Sequence, residues 1–192
     1  ADLAEKVYEL YVSMDLTPKA PTVSLSVACF VPKPHTPFEF CAQNTIEEFI
    51  RKQELLKAHM SRKIKFSYHH PVVSVLEGAL ARGDERLNNV ILSAYEKGCM
   101  LDSWDEHFDA QKWYEAFSDN CLDMYEFACR AYDYDETLPW DFIDVGIDKK
   151  FLASECEKAS KAVTTRNCFE KCSACGISKR YGRCDFEIQN ML

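Results

Sequence analysis

Glycine and proline are scarce in this chain, six and seven residues among 192. So few breakers exclude a collagen-like or low-complexity polymer and leave room for helices. Also lacking is any apolar run near the ~20 residues that a membrane-crossing helix needs. Basic side chains are outnumbered, 23 against 31 acidic, for a formal charge of −8. That balance excludes a nucleic-acid surface spread over the whole chain, though not a local basic patch. No P-loop, H-E-x-x-H, G-x-S-x-G or EF-hand ligand pattern occurs, and no internal repeat. The opening run Ala1-Asp2-Leu3-Ala4-Glu5-Lys6 has neither an initiator Met nor the basic-then-apolar order of a signal peptide. The chain therefore reads as cut from something longer, cytoplasmic, with reduced thiols.

What is present suffices for a core: 47% hydrophobic and 12% aromatic residues. Leu3, Val7, Leu10 and Tyr11 recur at helical spacing, in a helix that should stop near Thr17-Pro18. From Thr22 to Val31 apolar residues alternate with small polar ones, the period of a strand, which Pro32, Pro34 and Pro37 end. Asn44 or Thr45 caps the next helix, with Glu47 and Glu48 in its first turn and Ile46, Phe49, Ile50 and Leu56 on its apolar face. Ile64, Phe66 and Tyr68 suggest a second strand. Helix–strand–helix–strand is the grammar of a parallel α/β sheet. Beyond residue 70 the pattern turns helical, over Val72 to Ala81, Glu85 to Lys97, Gln111 to Phe117, Leu122 to Tyr132 and Lys149 to Ser160. The expected organisation is an α/β start over residues 1–70, a mostly α extension over 71–165, and a Cys-rich tail over 166–192.

The most chemical-looking stretch is that tail. Cys168, Cys172 and Cys175 are separated by three and then two residues, with Gly176 next and Cys184 following. Such spacing lets thiolates converge on one metal within one or two turns, and Gly176 permits close backbone approach. Lys171, Lys179, Arg180 and Arg183 would favour thiolates. With Cys184 as fourth ligand the site suits Zn²⁺ or an iron–sulfur cluster, whereas three thiolates leave one iron open. The alternative is a few unligated thiols in a frayed tail. Cys29, Cys41, Cys99, Cys121, Cys129 and Cys156 lie in apolar patterns and read as small buried hydrophobes.

The run Ser24-Leu25-Ser26-Val27-Ala28-Cys29-Phe30-Val31-Pro32-Lys33-Pro34-His35-Thr36-Pro37-Phe38 resembles the last barrel strand and following loop of radical SAM iron–sulfur proteins. The group it resembles is of uncharacterised substrate and often carries a cobalamin-binding-like region upstream. Leu76 to Asp84, Asp102 to Phe108, Leu138 to Asp141 and the terminal Cys run are similar to that group's C-terminal extension. The resemblance implies that residues 1–70 are the end of a parallel barrel, two strands and two helices, whose upstream remainder is the natural partner. It implies a [4Fe–4S] cluster and S-adenosylmethionine in the parent, which would generate a 5′-deoxyadenosyl radical. Backbone near Phe30, Val31 and Pro32 would hold the adenine edge, and Lys33 and His35 would face the active-site mouth. The C-x3-C-x2-C run of this chain lies too near its end to be the loop that nucleates such a barrel. The chain alone should therefore be inactive. The competing class is a non-catalytic helical interaction module stapled by a four-Cys zinc or iron–sulfur site.

Four further features have plainer readings. His35 sits in a Pro-rich loop that equally suits a rigid cover over a barrel end. His69 and His70, adjacent on a strand, face opposite ways and make poor partners for one metal. Arg82 and Arg86 flank Gly83 and suit an ion-pair network between helices, the alternative being a phosphate or RNA backbone. Trp104, Phe108, Trp113 and Phe117 predict a buried aromatic seam, since no basic residues interleave them. Substrate and oligomeric state are left open by this sequence.

Overall fold

The structure, a computed structural model, describes residues 1–15 and 21–182. Among these the fold is mixed α/β and mostly helical, with one small parallel sheet. Helix α1 (Asp2–Ser13) leads into strand β1 (Val23–Val27). A single 3-10 turn (Pro37–Phe40) precedes helix α2 (Ile46–Ala58), and strand β2 (Ile64–Tyr68) returns beside β1. The strands run parallel with Val23 opposite Ile64 and Val27 opposite Tyr68. Among the described residues no third strand joins them. The strand stops short of the expected Val31 because its partner runs out: His69 N donates the last ladder bond to Val27 O, and Pro71 then opens a helix.

Thr45 is the cap that α2 uses, its hydroxyl accepting from Glu48 N at 3.3 Å. The helical half contains α3 (Pro71–Arg82), α4 (Leu87–Glu96), α5 (Ala110–Asp119), α6 (Met124–Ala128), α7 (Lys149–Ser160) and α8 (Ile177–Tyr181). The expected Leu122–Tyr132 helix is thus a short one, and its bonds explain why. Asp123 caps the start, accepting from Tyr125 N at 2.9 Å. At the other end Ala128 O is taken by Gln43 N and by Arg82, while Tyr132 N donates to Phe40 O instead. A further turn would need those same groups.

One core joins both halves of the chain. Cys29 and Phe49 pack with Val75, Ala79, Val90, Trp113, Phe117 and Phe127. The foreseen aromatic seam is therefore only partly buried, since Trp104 lies exposed. Gly78 on α3 has no side chain because the Gln43 amide fills the space: a Cβ there would meet Oε1 at 1.9 Å. A second, smaller core gathers Phe40, Tyr132, Leu138, Trp140, Leu152 and Cys156 around the 3-10 turn and α7. No helix among the described residues is long and apolar enough to cross a membrane.

Candidate functional site

Beyond the carboxyl end of β1 the chain enters the Pro-rich loop, and each residue singled out there is held differently. Phe30 is half exposed, its ring edge-on to Phe38 at 5.4 Å. Val31 is partly covered and Pro32 is fully buried. Lys33 pairs with Glu77 of α3. His35 adopts a left-handed φ of 58°, which turns the chain so that its own N–H reaches Glu39 Oε2 at 2.7 Å.

Glu39 is only 2% exposed, and its Oε2 also accepts from Trp140 Nε1 at 2.8 Å. Two N–H donors aimed at one carboxylate oxygen compensate its burial. The Glu39 carbonyl is approached by Arg82 Nη2 at 3.4 Å. His35 Nε2 is buried with no hydrogen-bond partner. Beside it lies a cavity of about 500 Å³ lined by His35, Glu39, Asp141, Asp148, Lys149 and Arg180, among others. Lys149 Nζ bonds both Asp141 Oδ2 and Glu136 O at 2.5 Å.

The same cavity meets the Cys-bearing segment. Cys175 O accepts from Asp148 N at 2.8 Å, and Gly176, at φ 107°, turns against Asp148 where a Cβ would lie 2.9 Å from its side chain. Arg180 pairs with Asp144, and Lys179 with Asp148 at 3.6 Å. The His35 loop and Arg180, on the short helix that follows the Cys run, thus border one cavity. Of the basic residues expected to serve the thiols, Lys179 and Arg180 are directed to the acidic 141–148 loop instead, and Arg183 lies outside the described residues.

Cys168 and Cys172 are exposed and Cys175 is partly covered. Cys172 Sγ accepts from Ala174 N at 3.5 Å, and Ala174 is left-handed at φ 55°. That N–H to sulfur contact and the left-handed turn suit a metal-binding knuckle in donor chemistry. In geometry the set is not assembled: no three His, Cys, Asp or Glu side chains among the described residues are grouped to hold a metal. Cys184 lies outside the described residues.

No sequence pattern marks Glu39 or Asp148, and Trp140 enters there only within the Leu138–Asp141 stretch. Arg82, expected in an ion-pair network, is bonded to backbone carbonyls instead. It is fully buried, donating from Nη1 to Ala128 O at 2.5 Å and from Nη2 to Arg130 O at 2.7 Å, with Tyr132 under its guanidinium at 4.8 Å. Arg86 does form the expected network, with Asp84 and Glu126. His69 and His70 are structural, the first in the ladder and the second at the start of α3. No family model matches the chain, and no curated protein or solved structure matches it.

Proposed function

We propose that this chain is the C-terminal part of a radical SAM iron–sulfur enzyme, holding the last strands of its barrel and a helical extension. The observation that carries the reading is the parallel β1–α2–β2 unit with the Phe30–Phe38 loop at its carboxyl end. In barrels and open α/β sheets that end is the ligand-binding side. A two-stranded parallel sheet is also too small to stand alone, which supports upstream strands as partners.

When bound by the parent, the cofactor pair supplies reductive cleavage of S-adenosylmethionine to a hydrogen-abstracting radical. This chain's share is positional. The half-exposed Phe30 ring and the backbone through Val31 and Pro32 form one edge for the adenine, and the Glu39–Trp140 pair fixes the loop carrying His35. The tail thiols Cys168, Cys172 and Cys175, with Cys184, have the right donors for zinc or an iron–sulfur cluster, and no step is assigned to them.

The second reading, a non-catalytic helical module, is favoured by the way the cavity's charges satisfy one another, Lys149 with Asp141 and Arg180 with Asp144. The two separate experimentally. The reading frame should continue upstream into a second C-x3-C-x2-C run. The extended protein, purified without oxygen and reduced with dithionite, should release 5′-deoxyadenosine from S-adenosylmethionine. Phe30→Ala should raise the S-adenosylmethionine concentration needed for half-maximal release. Lack of the upstream run, or a reduced cluster that leaves S-adenosylmethionine intact, would overturn the enzyme reading.

A further inference from the structure

Two thiols meet in the second core, where no part of the proposed chemistry uses them. Cys41 closes the 3-10 turn and Cys156 lies on α7, 115 residues away, with their sulfurs 3.7 Å apart. That is van der Waals contact, so a bond of about 2.05 Å requires only a short approach of side chains already facing each other. Cys156 is almost wholly buried and Cys41 is the more open of the two. Both segments border the His35 cavity: Glu39 is in the 3-10 turn, while Lys149 and Leu152 share the helix face of Cys156.

We infer that Cys41 and Cys156 are an oxidation site, forming a disulfide in the presence of a peroxide and fastening two walls of the cavity together. The step balances as follows. The Cys41 thiol gives up its proton, its thiolate attacks one peroxide oxygen and the O–O bond breaks; the sulfur becomes a sulfenic acid, and the departing hydroxide takes up that proton to leave as the first water. Cys156 then attacks that sulfur, the S–O bond breaks, and the second water carries away the oxygen and the remaining thiol proton. The two thiols lose two electrons, and the peroxide gains them.

The surroundings set the rate. Cys41 faces Cys156 on α7, Arg82 on α3 and the Tyr134 hydroxyl region, where Glu157 also contributes charge. Burial pushes the Cys41 thiol up to about 11, the neighbouring Cys156 adds to the rise, and the Arg82 charge opposes it. A small thiolate fraction at neutral pH makes the pair slow to oxidise and strongly dependent on pH. None of this depends on the chain's role in a larger enzyme.

The test uses the whole chain in hydrogen peroxide at pH 7 and pH 8, with free thiols alkylated after unfolding and the peptides mapped. The 41–156 cross-linked peptide should accumulate about tenfold faster at the higher pH, as the thiolate fraction does. It should disappear on dithiothreitol treatment and be absent from Cys41→Ser and Cys156→Ser. The unfolding temperature should rise on oxidation in the natural chain and stay put in Cys41→Ser. Recovery of both thiols in reduced form while Cys168 and Cys172 are oxidised would overturn the assignment. Cross-linking of Cys41 to a tail thiol in place of Cys156 would overturn it equally.

Discussion

At residue 82 a guanidinium with no exposed surface is compensated by backbone carbonyls instead of a carboxylate. Its burial pulls its own pKa down, and its bonds to Glu39 O, Ala128 O and Arg130 O reinforce the Gln43 N–Ala128 O and Tyr132 N–Phe40 O ties between the 3-10 turn and the end of α6. Arg82→Ala would empty a large buried volume and strip Arg130 O of its bond, with an expected loss of about 3–5 kcal/mol in urea unfolding. Lys cannot reproduce the planar fork and should rescue little. Arg86→Ala is the control. It removes more hydrogen bonds, to Asp84 and Glu126, but all at the surface, and should cost under about 1 kcal/mol. Charge counting alone cannot tell these two arginines apart in a sequence, because burial decides which one matters.

Among the elements, α2 illustrates local physics that sequence exposes well. Thr45, Glu47 and Glu48 lie in the order that a helix start requires, and the helix begins there. Arg51 beside Glu48 holds its carboxyl down at about 2, from an ordinary 4.5, with Lys52 helping. A depressed carboxyl stabilises the folded form above the unfolded value and loses that contribution as pH falls from about 4.5 towards 2. The unfolding midpoint of the natural chain should therefore carry an acid-side slope that Glu48→Gln reduces, read by circular dichroism across that window. The group is solvent-exposed, so the slope should also shrink in high salt. Helix α6 shows the opposite case. Its apolar period continues past Ala128, but Gln43 and Arg82, distant in sequence, occupy the carbonyl that another turn would need. Periodicity records a helix's preference, not its competitors.

On the scale of the whole molecule, the site was legible only where it is local. His35 stands out among prolines after a strand, yet its buried neighbour Glu39 is joined to Trp140 across 101 residues, a pairing with no pattern to betray it. Similarly, the x3–x2 thiol spacing is plain to read, whereas the acidic loop that draws in Lys179 and Arg180 is not. One surface remains apolar without cover: Leu3 is 75% and Leu10 63% exposed on α1, and Val7, Val12 and Met14 are exposed with them. Such a stripe beside a parallel strand is a liability when uncovered, and under the proposed reading it is the flank that the rest of a barrel would cover. The chain by itself should self-associate, and Leu3→Lys with Leu10→Lys should shift light scattering towards the monomer mass. A natural chain already monodisperse at high concentration would count against a missing barrel flank.

The Gln43 amide resting in the notch of Gly78, with its Nε2 on Ser74 O at 2.8 Å, has a consequence for descent. Any side chain at 78 displaces the amide and costs its bond to Ser74 O, while any shorter residue at 43 leaves a void against bare backbone. Neither position can drift by itself without loss. Substitutions there should be inherited in tandem, so that a lineage gaining a methyl group at 78 also trades the glutamine at 43 for something smaller.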